Sequence, residues 1–183
     1  MAANHLSFLD PPLIGAFAPR PICYLARKTL FKNPLAATML RGWNVVPMDR
    51  ERGDVAGLRA VLDLLSRGEA VVVFPEGTRG KEGELQPAQS GFGWLVAKSG
   101  APVLPVRISG TGNAMPRGVL IPRPRQVGIR FGELMRFEQP IPSAKTTHGA
   151  AAKVFYEQIA TATMAAIANL KGGEDRESAL DKQ

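Results

Sequence analysis

The sequence AVVVFPEGTR, residues 70–79, joins an unbroken apolar run to a polar loop that contains a glycine. The run from Ala70 to Phe74 is apolar at every position, which is typical of a strand that is covered on both faces of its sheet. Sheets of that kind have parallel strands connected through helices. Their binding sites lie beyond the carboxyl ends of the strands, where the polar loop begins here. The stretch therefore predicts an α/β fold with a site at residues 75–81.

Helices and strands alternate on both sides of this stretch. In residues 54–68 the apolar side chains recur on one face of a helix that Asp54 caps and Gly68 ends. Similar patterns predict strands at residues 45–48, 102–109 and 127–131, and helices at residues 35–41, 90–98 and 147–169. We expect a mostly parallel or mixed central sheet covered by helices, with the loops after Met48, Phe74 and Ser109 on one rim.

The amino-terminal part and the tail are less regular. Asp10-Pro11-Pro12 predicts the start of a helix, because Asp caps helices and Pro suits their first turn. From residue 22 the chain is apolar with interleaved basic residues, in a loosely helical pattern that Asn33-Pro34 breaks. We predict one domain at residues 1–170, followed by a disordered polar tail at residues 171–183.

The composition narrows the class of protein. The net charge of +7 and the pI of about 10 are typical of a protein that binds nucleic acid, an anionic membrane face or an anionic substrate. The alternative is that the charge serves solubility alone. Only 7% of the residues are aromatic and no RNA-binding signature occurs, so we expect no nucleic acid partner. The single cysteine, Cys23, excludes an internal disulfide and favours a cytoplasmic setting. Neither a long apolar span nor a signal peptide is found in the sequence.

His5 and Asp10 are candidates for acid–base chemistry. The four residues between them allow the chain to fold back, so that the carboxylate holds one imidazole nitrogen and the other accepts a proton from a hydroxyl. The chain has no G-x-S-x-G nucleophile and no motif around Cys23, which suits a substrate hydroxyl as nucleophile. On spacing alone, the alternative is a surface histidine beside a helix-capping aspartate.

The loop at residues 75–81 offers groups that bind an anion. A guanidinium gives a planar fork for phosphate oxygens, and glycine exposes backbone amides. The alternative is an ordinary polar turn with Glu76 paired to Arg79. Arg50 is a second candidate phosphate ligand, and its alternative is a surface salt bridge to Asp49 or Asp54.

Four motifs together resemble the glycerophospholipid acyltransferase family. They are Asn4-His5 followed by Asp10 after four residues, VPMDR at residues 46–50, FPEGTR at residues 74–79, and APVLPV at residues 101–106. They occur in the family's order and at suitable separations. The six-residue motif at 74–79 is the most specific of the four.

The resemblance implies a reaction and a role for each matching residue. His5 would be the general base and Asp10 would orient it. The glycerol-phosphate end of the acceptor would be held by Arg50, Glu76, Gly77, Thr78 and Arg79, and the site would be shaped by Phe74, Pro75, Pro102 and Pro105. The acceptor would be a lysophospholipid, above all 1-acyl-sn-glycerol-3-phosphate, which becomes phosphatidic acid. Acyl-CoA or acyl-ACP would be the donor, with no cofactor, metal or covalent enzyme intermediate.

Departures from the family pattern leave an alternative. The family has a strand before the Asn-His pair, and because only three residues precede Asn4 we expect that strand to be missing. Gln89-Ser90 stands where a basic residue is common, and Gly80 where a serine is common. A missing strand would suit a catalytically inactive, lipid-binding member of the same fold. A hydrolase, with water in place of the acceptor, would leave the anion-binding groups without a purpose.

The segment at residues 12–41 mixes large apolar and basic side chains. One interpretation places it on an anionic bilayer, as a peripheral protein on the cytoplasmic face of a membrane. The other interpretation is that its apolar residues belong to the core.

Overall fold

The computed structural model describes residues 1–48, 54–119, 121–138 and 149–170. Arg50 and the tail at residues 171–183 lie outside these ranges. The described strands are β1 (Ala2–Ala3), β2 (Ile22–Arg27), β3 (Val45–Met48), β4 (Ala70–Val71), β5 (Pro105–Ser109) and β6 (Gly128–Phe131). The described helices are α1 (Asp10–Phe17), α2 (Pro34–Gly42), α3 (Asp54–Ser66), α4 (Ser90–Ser99), α5 (Thr111–Ala114) and α6 (Ala150–Asn169), with a 3-10 turn at Lys28–Phe31.

The sheet is mixed and mostly parallel, as the sequence predicted. One ladder has the order β3-β2-β4 and is parallel throughout. The other has the order β1-β5-β6, in which β1 is parallel to β5 and β6 is antiparallel to β5. A parallel bridge between Ala2 and Val73 joins the two ladders.

The amino-terminal strand is present, so the expectation that it is missing was wrong. The Ala2 amide donates to the carbonyl oxygen of Leu104 at 2.9 Å, and the Ala3 amide donates to that of Val73 at 3.1 Å. Both alanines are fully buried. Two small residues suffice here because neighbouring strands bond them on both sides, which satisfies the backbone without a long strand.

The segment at residues 22–27 also differs from its loosely helical prediction. It forms β2, which lies between β3 and β4 and pairs with both. Pairing on two sides outweighs a weak local pattern, because strand formation depends on the neighbours more than on intrinsic preference. The helix predicted at residues 35–41 is confirmed as α2.

Two other predicted strands are shorter than expected. Residues 102–104 precede β5 and contribute only a bridge between Val103 and Met135. The apolar run at residues 70–74 has ladder pairing at β4 and continues only through the bridge at Val73. Pro102 has no amide hydrogen to donate to a ladder, which suits a segment that precedes a regular strand.

The sheet is buried on both faces, as its unbroken apolar runs predicted. Val72 belongs to a cluster with Ile14 of α1 and with Val106 and Ile108 of β5. Val71 faces the other way and packs with Leu95 of α4. The alternation follows from the two-residue period of a strand. It leaves the loops at the carboxyl ends of β1, β4 and β5 outside the core.

Gly93 sets the separation between α4 and α6. A β-carbon at this position would lie 1.9 Å from the carbonyl oxygen of Tyr156, which is backbone and cannot rotate away. The two helices therefore approach closely because Gly93 has no side chain. Phe92 and Val96 of α4 and Ile159 of α6 form one core cluster with Ala2 of β1, so the two helices cover that face of the sheet.

Candidate active site

The candidate site lies where β1 and β5 end and where the chain leaves Phe74. His5 follows β1, and Thr111 begins α5 directly after β5. The rings of His5 and Phe74 stack with centroids 4.0 Å apart and an interplanar angle of 20°. The expectation that the loops after Phe74 and Ser109 share one rim is confirmed. The loop after Met48 lies outside the described residues.

Asp10 locks the imidazole of His5. Its Oδ2 atom lies 2.8 Å from His5 Nδ1 and also accepts hydrogen bonds from the amides of Leu6 at 2.6 Å and Ser7 at 2.8 Å. Its Oδ1 atom accepts from the Thr111 hydroxyl at 2.6 Å. A carboxylate only accepts, so Nδ1 carries the proton and Nε2 keeps a free lone pair. Asp10 is fully buried, whereas 19% of the His5 side chain is exposed.

Asp10 does not cap α1, which corrects that part of the sequence interpretation. The capping position is Leu9, and it has no side-chain capping bond. The Asp10 carboxylate instead turns back to the amides of the loop before the helix. Three donors of that loop bind the same carboxylate oxygen, so this oxygen is not available to accept hydrogen bonds from the first amides of α1.

Glu76 holds the backbone of His5. Its Oε1 accepts from the His5 amide at 3.0 Å, and its Oε2 accepts from the Gln86 amide at 3.0 Å. Burial raises the pKa of the Glu76 carboxyl, while the hydrogen bonds from Gln86 and His5 lower it. Glu76 is 1% exposed and both of its oxygens are engaged, so the structure gives it a part in positioning His5, and its predicted role as a head-group ligand stays a prediction.

Asn4 connects the histidine loop to the sheet. Its Nδ2 donates to the Ile108 carbonyl oxygen at 2.9 Å, and its Oδ1 accepts from the Ile108 amide at 2.7 Å. The side-chain amide thus replaces one backbone pairing and extends the contact between β1 and β5. On the other side, the Gly80 amide donates to the His5 carbonyl oxygen at 2.7 Å. His5 is therefore held through its ring, its amide and its carbonyl.

Arg79 carries an unpaired donor at the rim. Its guanidinium lies over the ring of Phe8, with 4.1 Å from Cζ to the ring centroid. Among the residues that the structure describes, its Nη1 is one of two buried side-chain polar atoms without a hydrogen-bond partner. Burial lowers the pKa of the Arg79 guanidinium, the nearby charge of Arg117 lowers it too, and Asp10 raises it. An unpaired buried guanidinium nitrogen is a binding group for an anion.

Arg117 joins Arg79 at this position, although no sequence motif selects Arg117 for the site. Its Nη2 donates to the Arg79 carbonyl oxygen and lies 3.4 Å from the Thr78 hydroxyl oxygen. Two guanidinium groups and one hydroxyl thus surround the loop that follows Glu76. Two like charges held this close repel each other, and an anion bound beside them relieves that repulsion.

Gly77 gives this loop its shape. Its φ of 68° is in the left-handed region, and a β-carbon there would lie 2.9 Å from Cγ of Gln89. Gln89 in turn donates to the Glu76 carbonyl oxygen at 3.3 Å. Gly77 and Thr78 are exposed, and their predicted role in holding the acceptor stays a prediction.

The prolines predicted to shape the site are divided between two regions. Pro75 is buried beneath the loop, and its carbonyl oxygen accepts from the Gln89 amide at 2.8 Å. Pro105 pairs with Ala2, and Pro102 precedes it, whereas His5 lies beyond the level of Val106. Because β1 and β5 are parallel, both latter prolines lie toward the end of the sheet opposite His5, and their predicted role in shaping the site stays a prediction.

The described residues offer no metal site and no membrane span. Within them, no three His, Cys, Asp or Glu side chains are grouped so as to bind a metal ion. No described helix has the length and apolarity that crossing a bilayer requires.

Comparison with known proteins identifies the family. A family model described as Acyltransferase matches residues 1–109, which contain His5, Asp10, Glu76 and Arg79. The chain belongs to the acyltransferase family. The resemblance stated from the four motifs is confirmed.

Similar proteins carry closely related names. A chloroplastic 1-acyl-sn-glycerol-3-phosphate acyltransferase of Brassica napus is 35% identical over 118 residues, which cover 63% of this chain and 34% of that protein. A 1-acyl-sn-glycerol-3-phosphate acyltransferase of Bacillus subtilis is 31% identical over 111 residues, covering 60% of this chain and 55% of that protein. The chain thus matches between about a third and about half of the length of these relatives.

A solved structure confirms the fold of this acyltransferase-family chain. The crystal structure of the 1-acyl-sn-glycerophosphate acyltransferase PlsC from Thermotoga maritima superposes with a TM-score of 0.67 at 29% sequence identity. The match covers 88% of this chain and 62% of that one. The α/β architecture predicted from the sequence is therefore confirmed.

The sequence interpretation of this family member missed three site residues. Phe8, Thr111 and Arg117 contact Arg79, Asp10 and Thr78, respectively. Phe8 lies between the catalytic candidates His5 and Asp10 in the sequence, and this position alone was a reason to include it among the candidate site residues. Thr111 and Arg117 had no local signal, because tertiary packing brings them across about 100 and 40 positions of the chain.

Proposed function

We propose that this chain transfers a fatty acyl group from a thioester to the free hydroxyl of a lysophospholipid. The acceptor is 1-acyl-sn-glycerol-3-phosphate, the donor is acyl-CoA or acyl-ACP, and the product is phosphatidic acid. The observation that carries the proposal is the pairing of His5 Nδ1 with the buried Asp10 at 2.8 Å. This bond leaves Nε2 as a base on the same rim as the unpaired Arg79 guanidinium nitrogen.

The chemistry requires one proton relay. His5 Nε2 accepts the proton of the acceptor hydroxyl while the hydroxyl oxygen attacks the thioester carbonyl carbon. The carbon–sulfur bond then breaks, and the leaving thiolate takes that proton from His5. Asp10 stabilises the imidazolium between the two steps. Positioning and proton transfer supply the catalysis, and the donor and acceptor supply all transferred atoms.

The phosphate of the acceptor binds Arg79. The guanidinium fork offers Nη1, while Phe8 beneath it holds the plane of the fork in place. Arg117 and the Thr78 hydroxyl lie beside it and complete a cationic rim. Arg50 remains proposed as a further phosphate ligand and lies outside the described residues.

The enzyme reaches its lipid substrate as a peripheral protein on the cytoplasmic face of a membrane. Its net charge of +7 favours a surface rich in anionic lipids. The argument for an inactive, lipid-binding member was the missing amino-terminal strand. Since β1 is present and His5 is held on three sides, that alternative is not proposed.

Thiol release from acyl-CoA, and separately from acyl-ACP, with and without 1-acylglycerol-3-phosphate, tests the proposal. We expect release that depends on the acceptor and that falls by about 10²- to 10⁴-fold in His5→Ala. Circular dichroism of both proteins shows whether the variant is folded. Release without acceptor would indicate a hydrolase. Absence of release with both donors from a folded protein would overturn the proposal.

A further inference from the structure

Most of the net positive charge of the chain arises in one segment. Residues 11–48 contain no acidic residue, and they contain five basic residues, namely Arg20, Arg27, Lys28, Lys32 and Arg41. Arg20 is exposed, and its Nη2 donates to the Gly68 carbonyl oxygen at 2.9 Å. Lys28, Lys32 and Arg41 are exposed around the 3-10 turn and α2. This part of the surface is therefore cationic.

The same segment exposes large apolar side chains in a regular stripe. Leu35, Met39 and Trp43 follow each other at intervals of four residues, and the Trp43 amide donates to the Met39 carbonyl oxygen at 3.2 Å. The spacing places all three on one side of α2. They are 81%, 51% and 50% exposed, respectively, and Leu30 of the adjoining turn is 47% exposed. Single exposed apolar residues are ordinary, but a stripe of this kind indicates a binding surface.

We propose that this surface docks the protein on an anionic lipid bilayer. We call it the α2 surface, and it consists of Leu30, Leu35, Met39 and Trp43 with Lys28, Lys32 and Arg41. The apolar side chains enter the boundary between head groups and acyl chains, and the basic side chains contact lipid phosphates. Tryptophan suits that boundary because its ring is apolar and its indole N–H is polar.

A bilayer fits this surface better than an acidic carrier protein does. Leu35 and Trp43 project from α2 with at least half of their area exposed, which suits insertion into a soft apolar layer. A protein partner would need a matching groove, whereas lipid adapts to the shape of the stripe. The absence of any acidic side chain over residues 11–48 removes repulsion from a lipid surface of uniform negative charge.

The inference deepens the proposed function, because it says where an enzyme with a lipid acceptor meets the membrane. Docking does not require catalysis, so the two are tested separately. Vesicle binding is measured without donor or acceptor. Acyl transfer is measured with a short-chain lysophosphatidate that stays monomeric in solution. Failure of one measurement leaves the other interpretable.

Trp43 itself reports docking. In a Trp94→Phe background it is the remaining tryptophan of the chain. We expect its fluorescence emission to shift to the blue when phosphatidylglycerol vesicles are added, and brominated acyl chains to quench it. Neutral phosphatidylcholine vesicles are expected to give a much smaller change, because the basic side chains then have no anionic partner. Unchanged emission with anionic vesicles would overturn the proposal.

Matched variants distinguish binding through the α2 surface from nonspecific hydrophobic binding to vesicles. Leu35→Ser with Met39→Ser is expected to lower the fraction bound to phosphatidylglycerol vesicles by about tenfold or more, while transfer to the monomeric acceptor is unchanged. The control is Leu134→Ser with Val154→Ser, whose native side chains are 54% and 51% exposed on other elements. We expect the control to bind vesicles as the native chain does. Equal losses in both double variants would overturn the proposal.

Charge reversal tests the electrostatic part. Lys28→Glu with Lys32→Glu is expected to weaken vesicle binding by at least about tenfold at low salt, and the difference should shrink as salt is added. Gel filtration of the native chain tests the alternative that a second copy covers the surface. Dimerisation abolished by Leu35→Ser, or binding of acyl carrier protein without binding of vesicles, would overturn the proposal.

Discussion

The hydroxyl of Thr111 donates to Oδ1 of Asp10 at 2.6 Å, although 101 positions separate the two residues in the chain. Both residues are fully buried. With this bond the Asp10 carboxylate has a donor on Oδ1 and three on Oδ2, so it cannot rotate away from the imidazole. The start of α5 thereby helps to orient His5, the proposed base in the first loop of the chain.

Replacing Thr111 tests this relationship. Thr111→Val keeps the shape but removes the hydroxyl, so we expect the free energy of unfolding to fall by about 1–3 kcal/mol. We also expect kcat to fall several-fold, because Asp10 gains freedom. Thr111→Ser keeps the donor and should restore kcat. Urea unfolding and steady-state kinetics provide the two measurements, and a Ser variant as slow as the Val variant would contradict a positioning role.

Asp10→Asn should have a larger effect than Thr111→Val. The amide oxygen of asparagine can replace Oδ2 as acceptor only with its NH2 group turned to the Thr111 hydroxyl, and the negative charge of the carboxylate is lost in either orientation. We expect kcat to fall by about 10²- to 10⁴-fold, because the imidazolium loses the charge that stabilises it and the imidazole loses part of the interaction that fixes its tautomer. Steady-state thiol release measures kcat, and circular dichroism checks the fold. Activity within threefold of the native value would show that His5 does not depend on Asp10.

The guanidinium groups at the rim should affect acceptor binding more than the chemical step. Arg79→Ala is expected to raise KM for 1-acylglycerol-3-phosphate by about 10- to 100-fold, since a charge-assisted hydrogen bond is lost. Arg117→Ala should raise it less, because Arg117 holds the Arg79 carbonyl and the Thr78 hydroxyl. The matched measurement uses 1-acylglycerol, which lacks the phosphate. Both variants should handle it as the native chain does, and an equal loss would contradict phosphate recognition.

The buried carboxyl of Glu76 predicts a pH dependence of stability. Burial raises its pKa in the folded state above the ordinary value of 4.5, so the folded protein binds this proton more tightly than the unfolded chain. Its contribution to the free energy of unfolding is therefore complete below pH 4.5 and is lost as the pH rises through the raised pKa.

Glu76→Gln removes this titration. The free energy of unfolding of the native chain minus that of the variant should decrease as the pH rises above 4.5. Urea unfolding at several pH values measures the difference, with the exposed Glu84→Gln as the matched control for a lost carboxylate. A difference that grows with pH would show that the hydrogen bonds from His5 and Gln86 outweigh burial.

Gly93→Ala should destabilise the protein although alanine favours helices. The new β-carbon would lie 1.9 Å from the Tyr156 carbonyl oxygen, so α4 and α6 must move apart. We expect a loss of about 1–3 kcal/mol in the free energy of unfolding. Gly42→Ala is the control, because a β-carbon there meets nothing within 4 Å. Equal stability of the two variants would contradict the close packing of α4 and α6.

Much of the fold was predictable because its signals are local. The unbroken apolar run at residues 70–74 indicated a buried strand, and the one-sided apolar pattern after Asp54 indicated α3. By contrast, β2 had a weak local pattern and became a strand only because β3 and β4 lie beside it. The two-residue strand β1 had no detectable pattern, since its neighbours supply every hydrogen bond that it needs.

The amino-acid sequence was enough to select His5, Asp10 and Arg79 as candidate site residues, because they lie in short motifs that resemble those of a known family. The contacts of Glu76, Thr111 and Arg117 became visible only in the folded protein. Glu76 turns inward to the His5 backbone, and the other two reach the site from beyond β5. The physical reason is that side-chain direction and contacts between distant segments depend on how the sheet packs, which local spacing does not encode.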